Sequence, residues 1–443
     1  MAIVRVLRIK MFSYKKAFMA MIMWISVLNV FVNVRRKAVT SWSLETNSIS
    51  EQKNSWKVQK GWRKIFAEEV HVFSAYYDRR RGKNWFGLVQ VMAFQPNSYN
   101  ATLYCFYVYE EESICVKSPA KRTTVFEDHR YYRTTMYSCF MPRSEIPKAV
   151  GLTRDKNCAD QTNNQSLTQV VFEKWSPMKD FGVCVHSPLF NMEKHELVAE
   201  YVEMNRILGA KWFTFYIHSI SRMVRKLLES YKRDGVLELV DDWSDGLPSS
   251  VVHYKGQDLN IQDCLYRNMY KVKYLVYTDL DELIFPKKHP NWRKMMNELE
   301  KIQLRTGCFL FRPIAAFRNT KNITVAQSLR QKYGNCNPGD VIRMLKIPRV
   351  LSFTQRSVRI VPKRQKMIVK PLDVWTIRVH NVNDKAFYGQ RRRKLVDVNM
   401  AVMYHYRRGG LEEYMNGSVY FDDAQKLAPK LFGQLKKRLC KLK

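Results

Sequence analysis

The sequence has little negative charge: 40 Asp and Glu residues stand against 75 Lys and Arg, a formal net charge of +35 over 443 residues. Such a surplus favours anionic partners, which include nucleic acid, acidic lipid head groups, phosphates and acidic glycans. A sequence-specific reader of nucleic acid usually carries a clustered basic stripe and a known module. This chain has neither, because its basic residues are spread along it. We therefore expect no nucleic-acid partner. A basic nucleic-acid-binding protein remains only as an alternative hypothesis.

Three common site motifs are also missing. The chain has no GxGxxG loop, no GxxxxGK[ST] loop and no CxxC pair. These absences exclude the two commonest phosphate-binding loops and a zinc site of the usual spacing. What is present is a globular composition, with 46% hydrophobic and 13% aromatic residues. A chain of this size forms one large domain or two ordinary ones.

Long apolar runs are absent except at the N-terminus. Residues 17–34 carry no charge and have basic residues on both sides, and a helix of this length just crosses a bilayer core of roughly 30 Å. The run predicts an uncleaved anchor, short enough for a Golgi membrane, with a cytoplasmic N-terminus and a lumenal body. A cleaved signal peptide and a buried soluble helix are the alternatives. The residues after the run do not supply the small side chains of a cleavage site.

The cysteines and glycosylation motifs agree with a lumenal body. All nine cysteines follow the apolar run, and the lumen permits disulfides. An odd number leaves at least one thiol unpaired or bonded to another chain, and the pairing is not readable from sequence. Acceptor motifs for N-glycosylation occur at Asn100, Asn164, Asn322 and Asn416.

The chain divides by texture into five segments. They are a cytoplasmic tail at 1–16, the anchor at 17–34, a polar stem at 35–67, a small antiparallel β-rich region at 68–180 and a catalytic domain at 181–443. In the last segment, apolar strands alternate with amphipathic helices from Gly182 to Thr278. This order is typical of an α/β fold with a mostly parallel sheet, in which ligands bind outside the carboxyl ends of the strands.

The strongest local signal lies at the end of one such strand. The apolar run Tyr274 to Thr278 leads directly into Asp279-Leu280-Asp281. Side chains two apart in an extended segment point the same way, so the two carboxylates repel each other unless a cation lies between them. Carboxylates with phosphate oxygens suit Mn²⁺ or Mg²⁺. The pattern therefore predicts a metal site for the diphosphate of a nucleotide sugar, against the alternative of a solvated loop.

From Phe181 to about Arg408 the chain resembles glycosyltransferase family 92. The residues that carry the resemblance are Cys184 to Phe190 (CVHSPLF), Glu200 to Glu203 with Leu208-Gly209, Gly256-Gln257 with Asp263-Cys264-Leu265, Asp279 to Glu282, and His405-Tyr406-Arg407. The resemblance covers roughly half of the chain, in the expected order. It implies a GT-A-like nucleotide-sugar-binding fold, an inverting mechanism, a UDP-sugar donor and type II Golgi topology.

The family also suggests the activity and the site. It implies transfer of galactose from UDP-galactose in β-1,4 linkage to a galactose or fucose residue of a glycoprotein glycan. His405 is the candidate that completes the metal shell beside Asp279 and Asp281, and His380 is its rival. Gln257 and Asp263 are candidates for contact with the nucleotide or its sugar, with ordinary polarity at a helix start as the alternative.

Other roles stay open at the level of sequence. The catalytic base is not assigned, and its candidates are Asp340, Asp373, Asp384, Asp397, Glu412 and Glu413. The basic clusters at 363–370 and 390–394 are either solvated faces or sites for the diphosphate or an acidic acceptor. Cys184 and Cys264 are predicted to be packed or disulfide-bonded, not reactive. A catalytically inactive lumenal glycan-binding protein of the same fold is the competing function, and the oligomeric state is not predicted.

Overall fold

The computed structural model of the protein describes most of the chain beyond residue 57. The described residues are 46–49, 58–66, 69–80, 86–110, 112–127, 132–159, 167–173, 178–248, 250, 252–318, 323–336, 345–361, 363–406 and 416–442. The anchor predicted at 17–34 lies outside them. Within these ranges no helix has the length and apolar character needed to cross a membrane.

The first part of the described chain forms one large, mainly antiparallel sheet. Its strands are β1 Thr46–Ile49, β2 Val58–Gln59, β3 Arg63–Ile65, β4 Val70–Asp78, β5 Leu88–Pro96, β6 Tyr104–Val108, β7 Ser113–Pro119, β8 Lys121–Glu127, β9 Tyr132–Phe140, β10 Ala149–Thr153 and β11 Leu167–Val171. They lie in the order β1-β7-β6-β10-β11-β4-β5-β9-β8, with β2 on β11 and β3 on β4. Eight of these strands, β4 to β11, fall within the predicted β-rich region at 68–180, and three precede it.

The predicted stem at 35–67 requires a correction, because three strands of this sheet lie within it. Arg63 explains why the chain is held there. Its side chain is buried and donates hydrogen bonds to the backbone oxygens of Leu167 and Phe73. Trp62 donates to the backbone oxygen of Trp243 at 2.7 Å. The globular body thus begins before residue 68.

A second sheet is built from the alternating strands and helices that follow. Its strands are β12 Lys179–Val185, β13 Trp212–Tyr216, β14 Leu237–Val240, β15 Val272–Thr278, β17 Thr306–Phe311, β20 Lys366–Val369 and β21 Arg392–Leu395, in the order β14-β13-β12-β15-β20-β17-β21. Only β20 runs against its neighbours, so the sheet is mostly parallel. This result confirms the mixed α/β prediction for the region.

The helices of this part connect and cover the strands. They are α1 His195–Leu208, α2 Arg222–Arg233, α3 Gln257–Asn268, α4 Trp292–Ile302, α5 Ile323–Tyr333, α6 Arg349–Ser352 and α7 Ala428–Leu439. α1 ends as the sequence predicts: Gly209 has a φ of 133°, and its N–H bonds to the carbonyls of Asn205 and Arg206. Glycine adopts this conformation without a clash between its side chain and the backbone.

A third, smaller sheet adjoins the second. It contains β16 Glu282–Pro286, β18 Pro313–Arg318, β19 Phe353–Arg356, β22 Ala401–His405 and β23 Val419–Tyr420, in the order β16-β22-β18-β19-β23. Strand β16 begins four residues after β15 ends, so the Asp279-x-Asp281 motif lies where the chain passes from one sheet to the next.

The two faces of the second sheet have different covers. Val183 and Val276 pack in the core beneath α1 and α2. Their neighbours in sequence, Cys184 and Tyr277, point the other way and share a core with α3 and with Phe94 of the first sheet. This alternation follows from the two-residue period of a strand. The first sheet is therefore part of the same body as the second, because its side chains Phe73, Met92 and Phe94 pack into this second core.

Four disulfides tie the described residues together: Cys105–Cys139, Cys115–Cys158, Cys184–Cys264 and Cys336–Cys440. Cys308 is buried and free. The odd thiol and the bonding of Cys184 and Cys264 agree with the sequence predictions. The Cys184–Cys264 bridge matters most for the site, because it joins the end of β12 to the middle of α3.

We expect the double substitution Cys184→Ala, Cys264→Ala to lower the free energy of unfolding by about 4 kcal/mol, since the bridge closes a loop of 80 residues in the unfolded chain. Urea unfolding followed by fluorescence measures this change. Cys308→Ala is the control, because it removes a buried sulfur without a cross-link, and it should cost about 1 kcal/mol. Equal losses in the two variants would assign the effect to packing and not to the cross-link.

Candidate functional site

Three strand ends meet at one edge of the second sheet. β12 and β15 are parallel neighbours, with Val185 opposite Thr278, so both end at the same edge. The next residues, His186 and Asp279, therefore lie side by side there. Antiparallel β20 begins at this edge with Lys366. Sheet pairing thus brings a histidine, a carboxylate and a lysine to one point from segments far apart in sequence.

The third sheet brings His405 to the same place. β16 and β22 pair antiparallel with Glu282 opposite His405. The backbone N–H of Tyr406 donates to the backbone oxygen of Asp281 at 2.7 Å, and His405 Nε2 lies 3.5 Å from Asp281 Oδ2. The proximity of His405 to Asp281, predicted through the family resemblance, is what the structure shows.

Lys366 is the cation at the centre of this group. Its side chain is 2% exposed. The ammonium nitrogen lies 2.8 Å from Asp279 Oδ2, 2.9 Å from His186 Nδ1 and 3.1 Å from Glu282 Oε2. Buried charges persist when they are paired and hydrogen-bonded in this way. A lysine of the chain therefore already neutralises the first carboxylate of the motif.

The ionisation of these groups follows from burial and charge. Burial opposes ionisation of Asp279, but the adjacent Lys366 ammonium outweighs it and holds the pKa of that carboxyl well below its usual range. Burial, together with the charge of Asp279, raises the pKa of Glu282 to about 7 in spite of Lys366. Burial and the Lys366 charge lower the pKa of His186 to about 4, so this ring is neutral at physiological pH.

The neutral His186 ring has a fixed tautomer. Because Lys366 can only donate, His186 Nδ1 accepts, and the proton of the ring is on Nε2. That nitrogen is buried and has no hydrogen-bond partner among the described residues. An unpaired buried donor of this kind is uncommon in folded proteins.

The other oxygen of Asp279 begins a short polar chain. Ser187 Oγ donates to Asp279 Oδ1 at 3.0 Å, and Gln257 Nε2 donates to Ser187 Oγ at 2.7 Å. Gln257 is the first residue of α3 and follows Tyr254, Lys255 and Gly256, which all have positive φ. The structure therefore links Gln257 to Asp279 through Ser187, and its predicted contact with the nucleotide or sugar stays a prediction.

Asp263 lies in a different environment from the one expected. It is fully buried, and Oδ1 accepts hydrogen bonds from Ser74 at 2.5 Å and Tyr76 at 2.7 Å. Oδ2 accepts from Tyr216 and from Arg267, the latter at 2.9 Å. All its acceptor capacity is used in joining the two sheets, so direct contact with a nucleotide, predicted from the motif, does not fit this position.

His380 takes no part in the acidic group. Its Nδ1 lies 3.3 Å from the backbone oxygen of Gln365, and its ring centre lies 6.2 Å from that of His186. Burial and the charge of Lys366 lower its pKa to about 4. His405, which is paired with Asp281, is therefore the better candidate for a metal ligand.

The candidate bases have partners of their own. Asp373 pairs with Arg391 at 3.4 Å, and Asp384 pairs with Arg393 at 3.3 Å. Asp397 accepts a hydrogen bond from the backbone N–H of Asn399 at 2.7 Å. Asp340, Glu412 and Glu413 lie outside the described residues. The structure therefore selects none of the six, and the base stays unassigned.

The fit to a divalent cation is partial. Within the described ranges, no three His, Cys, Asp or Glu side chains form a group that could hold a metal ion. Asp281 and His405 face each other with a separation that a cation could bridge, and the Asp281 side chain is 28% exposed. Carboxylate with imidazole is a suitable pair for a divalent transition metal. Two protein ligands would leave most of the coordination shell to a bound substrate.

Three of these residues were not singled out as site residues from the sequence. His186 and Ser187 lie within the segment CVHSPLF, and Lys366 lies within the basic cluster at 363–370. The available signal for His186 and Ser187 was their position directly after a strand parallel to the one that ends at Asp279. Lys366 gave no local signal, because its burial depends on antiparallel pairing with distant strands.

Comparison with known proteins settles the family. Residues 179–441, more than half of the chain, match the profile of the family described as glycosyltransferase family 92. The chain belongs to glycosyltransferase family 92. Its match begins at the first residue of β12, so the first sheet lies outside it.

Two curated relatives of this family 92 chain come from Caenorhabditis elegans. Beta-1,4-galactosyltransferase galt-1 is 26% identical over 247 residues, which are 49% of this chain and 52% of that protein. Glycosyltransferase family 92 protein ZK381.2 is 24% identical over 136 residues, which are 28% of this chain and 26% of that protein. The chain therefore spans about half the length of the first relative and about a quarter of the second.

Among solved structures, apo-UDP-glucose pyrophosphorylase aligns with the family 92 chain at 10% identity and a TM-score of 0.22. The alignment covers 59% of this chain and 100% of that chain. A score of this size does not indicate a shared fold.

We expect Asp263→Asn to cost about 3 kcal/mol of stability, because it removes the buried charge that pairs with Arg267 and places an amide donor against hydroxyl donors. Gln257→Ala breaks one hydrogen bond at the edge of the site and should cost about 1 kcal/mol. Urea unfolding of both variants measures the difference. If Asp263→Asn unfolds at the same urea midpoint as the wild type, Asp263 does not join the sheets. Contact of Asp263 with the nucleotide or its sugar would then again be the better interpretation.

Proposed function

We propose that this chain is an inverting glycosyltransferase that moves galactose from UDP-galactose, in β-1,4 linkage, to a galactose or fucose residue of a glycoprotein glycan. The main support is the convergence of Asp279, Asp281 and His405, with Ser187 and Gln257, at the carboxyl edge of parallel strands. Open α/β sheets bind their ligands at that edge. Family membership and a relative named as a β-1,4-galactosyltransferase support the reaction class and the donor.

The sheet arrangement also supports the GT-A-like fold that the family resemblance implies. Four of the six strand pairs in the second sheet are parallel, and the acidic motif follows the central strand β15. In this interpretation the nucleoside lies near Ser187 and Gln257, whose side chains reach Asp279 as a hydrogen-bonded chain. The diphosphate lies toward Asp281 and His405.

Different residues of the chain have different roles in the proposed reaction. In the transfer, an acceptor hydroxyl oxygen bonds to the anomeric carbon as the bond from that carbon to the diphosphate breaks, and an as yet unassigned carboxylate takes the hydroxyl proton. Asp281 and His405 would hold Mn²⁺ or Mg²⁺, which supplies positive charge to the departing nucleoside diphosphate. Ser187 and Gln257 orient Asp279 at the nucleotide side of the site.

The donor site is tested by thermal unfolding with ligands. We expect UDP with Mn²⁺ to stabilise the protein by about 2.7 kcal/mol at a hundred times its Kd, since binding only to the folded state shifts the equilibrium. Asp281→Asn should remove this stabilisation, and EDTA should abolish transfer from UDP-galactose. GDP and ADP serve as matched anions for a chain of net charge +35. Equal shifts with all three diphosphates, unchanged by Asp281→Asn, would favour the inactive glycan-binding alternative.

We also propose that the protein is a single-pass type II protein of the Golgi membrane with its body in the lumen. The charge-free run at 17–34, flanked by basic residues, supports the anchor. The four disulfides of the described residues support an oxidising compartment.

Protease digestion of intact microsomes tests this topology. We expect an antibody to the C-terminal region to detect a fragment that is protected without detergent and lost with it. A lumenal glycosidase-sensitive size shift provides an independent check, because the sequence offers four acceptor motifs. Digestion of the C-terminal region in sealed microsomes would place the body in the cytosol.

A further inference from the structure

The Lys366 ammonium has as many acceptors as it has N–H bonds. Asp279, His186 and Glu282 each place one acceptor atom within 3.1 Å of its nitrogen. An ammonium group carries three donors and no acceptor. Since the side chain is also buried, Lys366 is left without an N–H for a phosphate oxygen. Its charge acts inside the protein, on the two carboxylates that it contacts.

Those two carboxylates are correspondingly occupied. Asp279 Oδ2 faces Lys366, and Asp279 Oδ1 accepts from Ser187. Glu282 Oε2 faces Lys366 and also accepts the backbone N–H of Asp279 at 2.9 Å. Asp281 differs, because its ion-pair partner in the described residues is His405, at 3.5 Å, and not Lys366. The motif is therefore asymmetric: one aspartate is neutralised internally, and the other is open.

From this geometry we infer that Lys366 is a built-in counter-ion that takes the place of a metal at Asp279 and Glu282. A divalent cation then depends on Asp281, His405 and the donor diphosphate. Lys366 is a positioning residue in this scheme, since it touches no substrate. The identity of the diphosphate rests on the proposed function. The pairing of Asp279 and Glu282 with Lys366 does not depend on it.

The physical consequence is an order of binding. Because Lys366 cancels most of the negative charge of Asp279 and Glu282, the acidic motif alone attracts a cation only weakly. Mn²⁺ and Mg²⁺ also prefer about six ligands, of which Asp281 and His405 supply two. The diphosphate adds both oxygen ligands and negative charge. The protein without donor should therefore bind Mn²⁺ weakly, and UDP should strengthen the binding.

Mn²⁺ affinity of the purified full chain, measured by electron paramagnetic resonance, tests the asymmetry. With UDP present, we expect Asp281→Asn to lower the affinity at least about tenfold, and the isosteric Asp279→Asn to change it less than about threefold. Each substitution removes one negative charge from the same motif, so each is the matched control of the other. Equal losses would show that both aspartates hold the metal and would overturn the proposal.

A second measurement needs no donor. Without UDP, we expect Lys366→Met to raise Mn²⁺ affinity about tenfold or more, because removing the ammonium frees Asp279 and Glu282. Lys366→Arg keeps the charge and should keep the affinity low. An unchanged or weaker affinity in Lys366→Met would contradict the counter-ion role. If Lys366→Met does not fold, the comparison of Asp279→Asn with Asp281→Asn still tests the proposal.

Failure of the proposed function gives a different pattern. In that case UDP leaves Mn²⁺ affinity unchanged in the wild type and in every variant, while the donor-free comparison of Lys366→Met with the wild type still reports on the counter-ion.

Discussion

The site is organised around one buried ion pair, between Lys366 and Asp279. An ammonium and a carboxylate removed from water lose hydration free energy, and close pairing with further hydrogen bonds must compensate for that loss. Here His186, Ser187 and Glu282 supply those bonds. The pair in turn requires antiparallel β20 to lie against β15, since only that pairing brings a residue more than 80 positions away to the end of the strand.

The first sheet supports the site indirectly, through α3. The part of the chain that matches the family 92 profile does not include this sheet. Even so, Ser74 and Tyr76 of the sheet donate hydrogen bonds to the carboxylate of Asp263, in the middle of α3. Tyr216 of the second sheet binds the same carboxylate. A helix that is held on both sides presents its first residue, Gln257, in a defined position. The β-rich part thus supports the position of Gln257 through α3.

Much of this architecture could be predicted from the sequence, where the signals are local. The alternation from Gly182 to Thr278 gave strands and helices close to those observed, because each has its own hydrophobic period. Asp279 and Asp281 were recognisable because they directly follow an apolar strand. His405 needed the family resemblance, since its approach to Asp281 depends on the pairing of β16 with β22.

Long-range packing accounts for what the sequence did not show. Asp263 and Arg267 have the spacing of an exposed helical pair, and docking of the first sheet is what buries them. Lys366 lies among basic residues that resemble a solvated face, and strand pairing alone places it in the interior. The predicted stem failed for the same reason: its short strands are recognisable only through their partners β4, β7 and β11.

Covalent support differs between the two sides of the site. On the side of Ser187 and Gln257, the Cys184–Cys264 bridge joins the strand before His186 and Ser187 to the helix that begins at Gln257. A covalent cross-link, a buried ion pair and a hydrogen-bonded chain therefore fix the same few residues, and such support holds polar groups in place before a ligand arrives. Asp281 and His405 are held by backbone pairing of β16 with β22 and have no disulfide nearby in sequence. Under the proposed function, the nucleotide would meet preorganised polar groups, and the diphosphate would complete the geometry around Asp281.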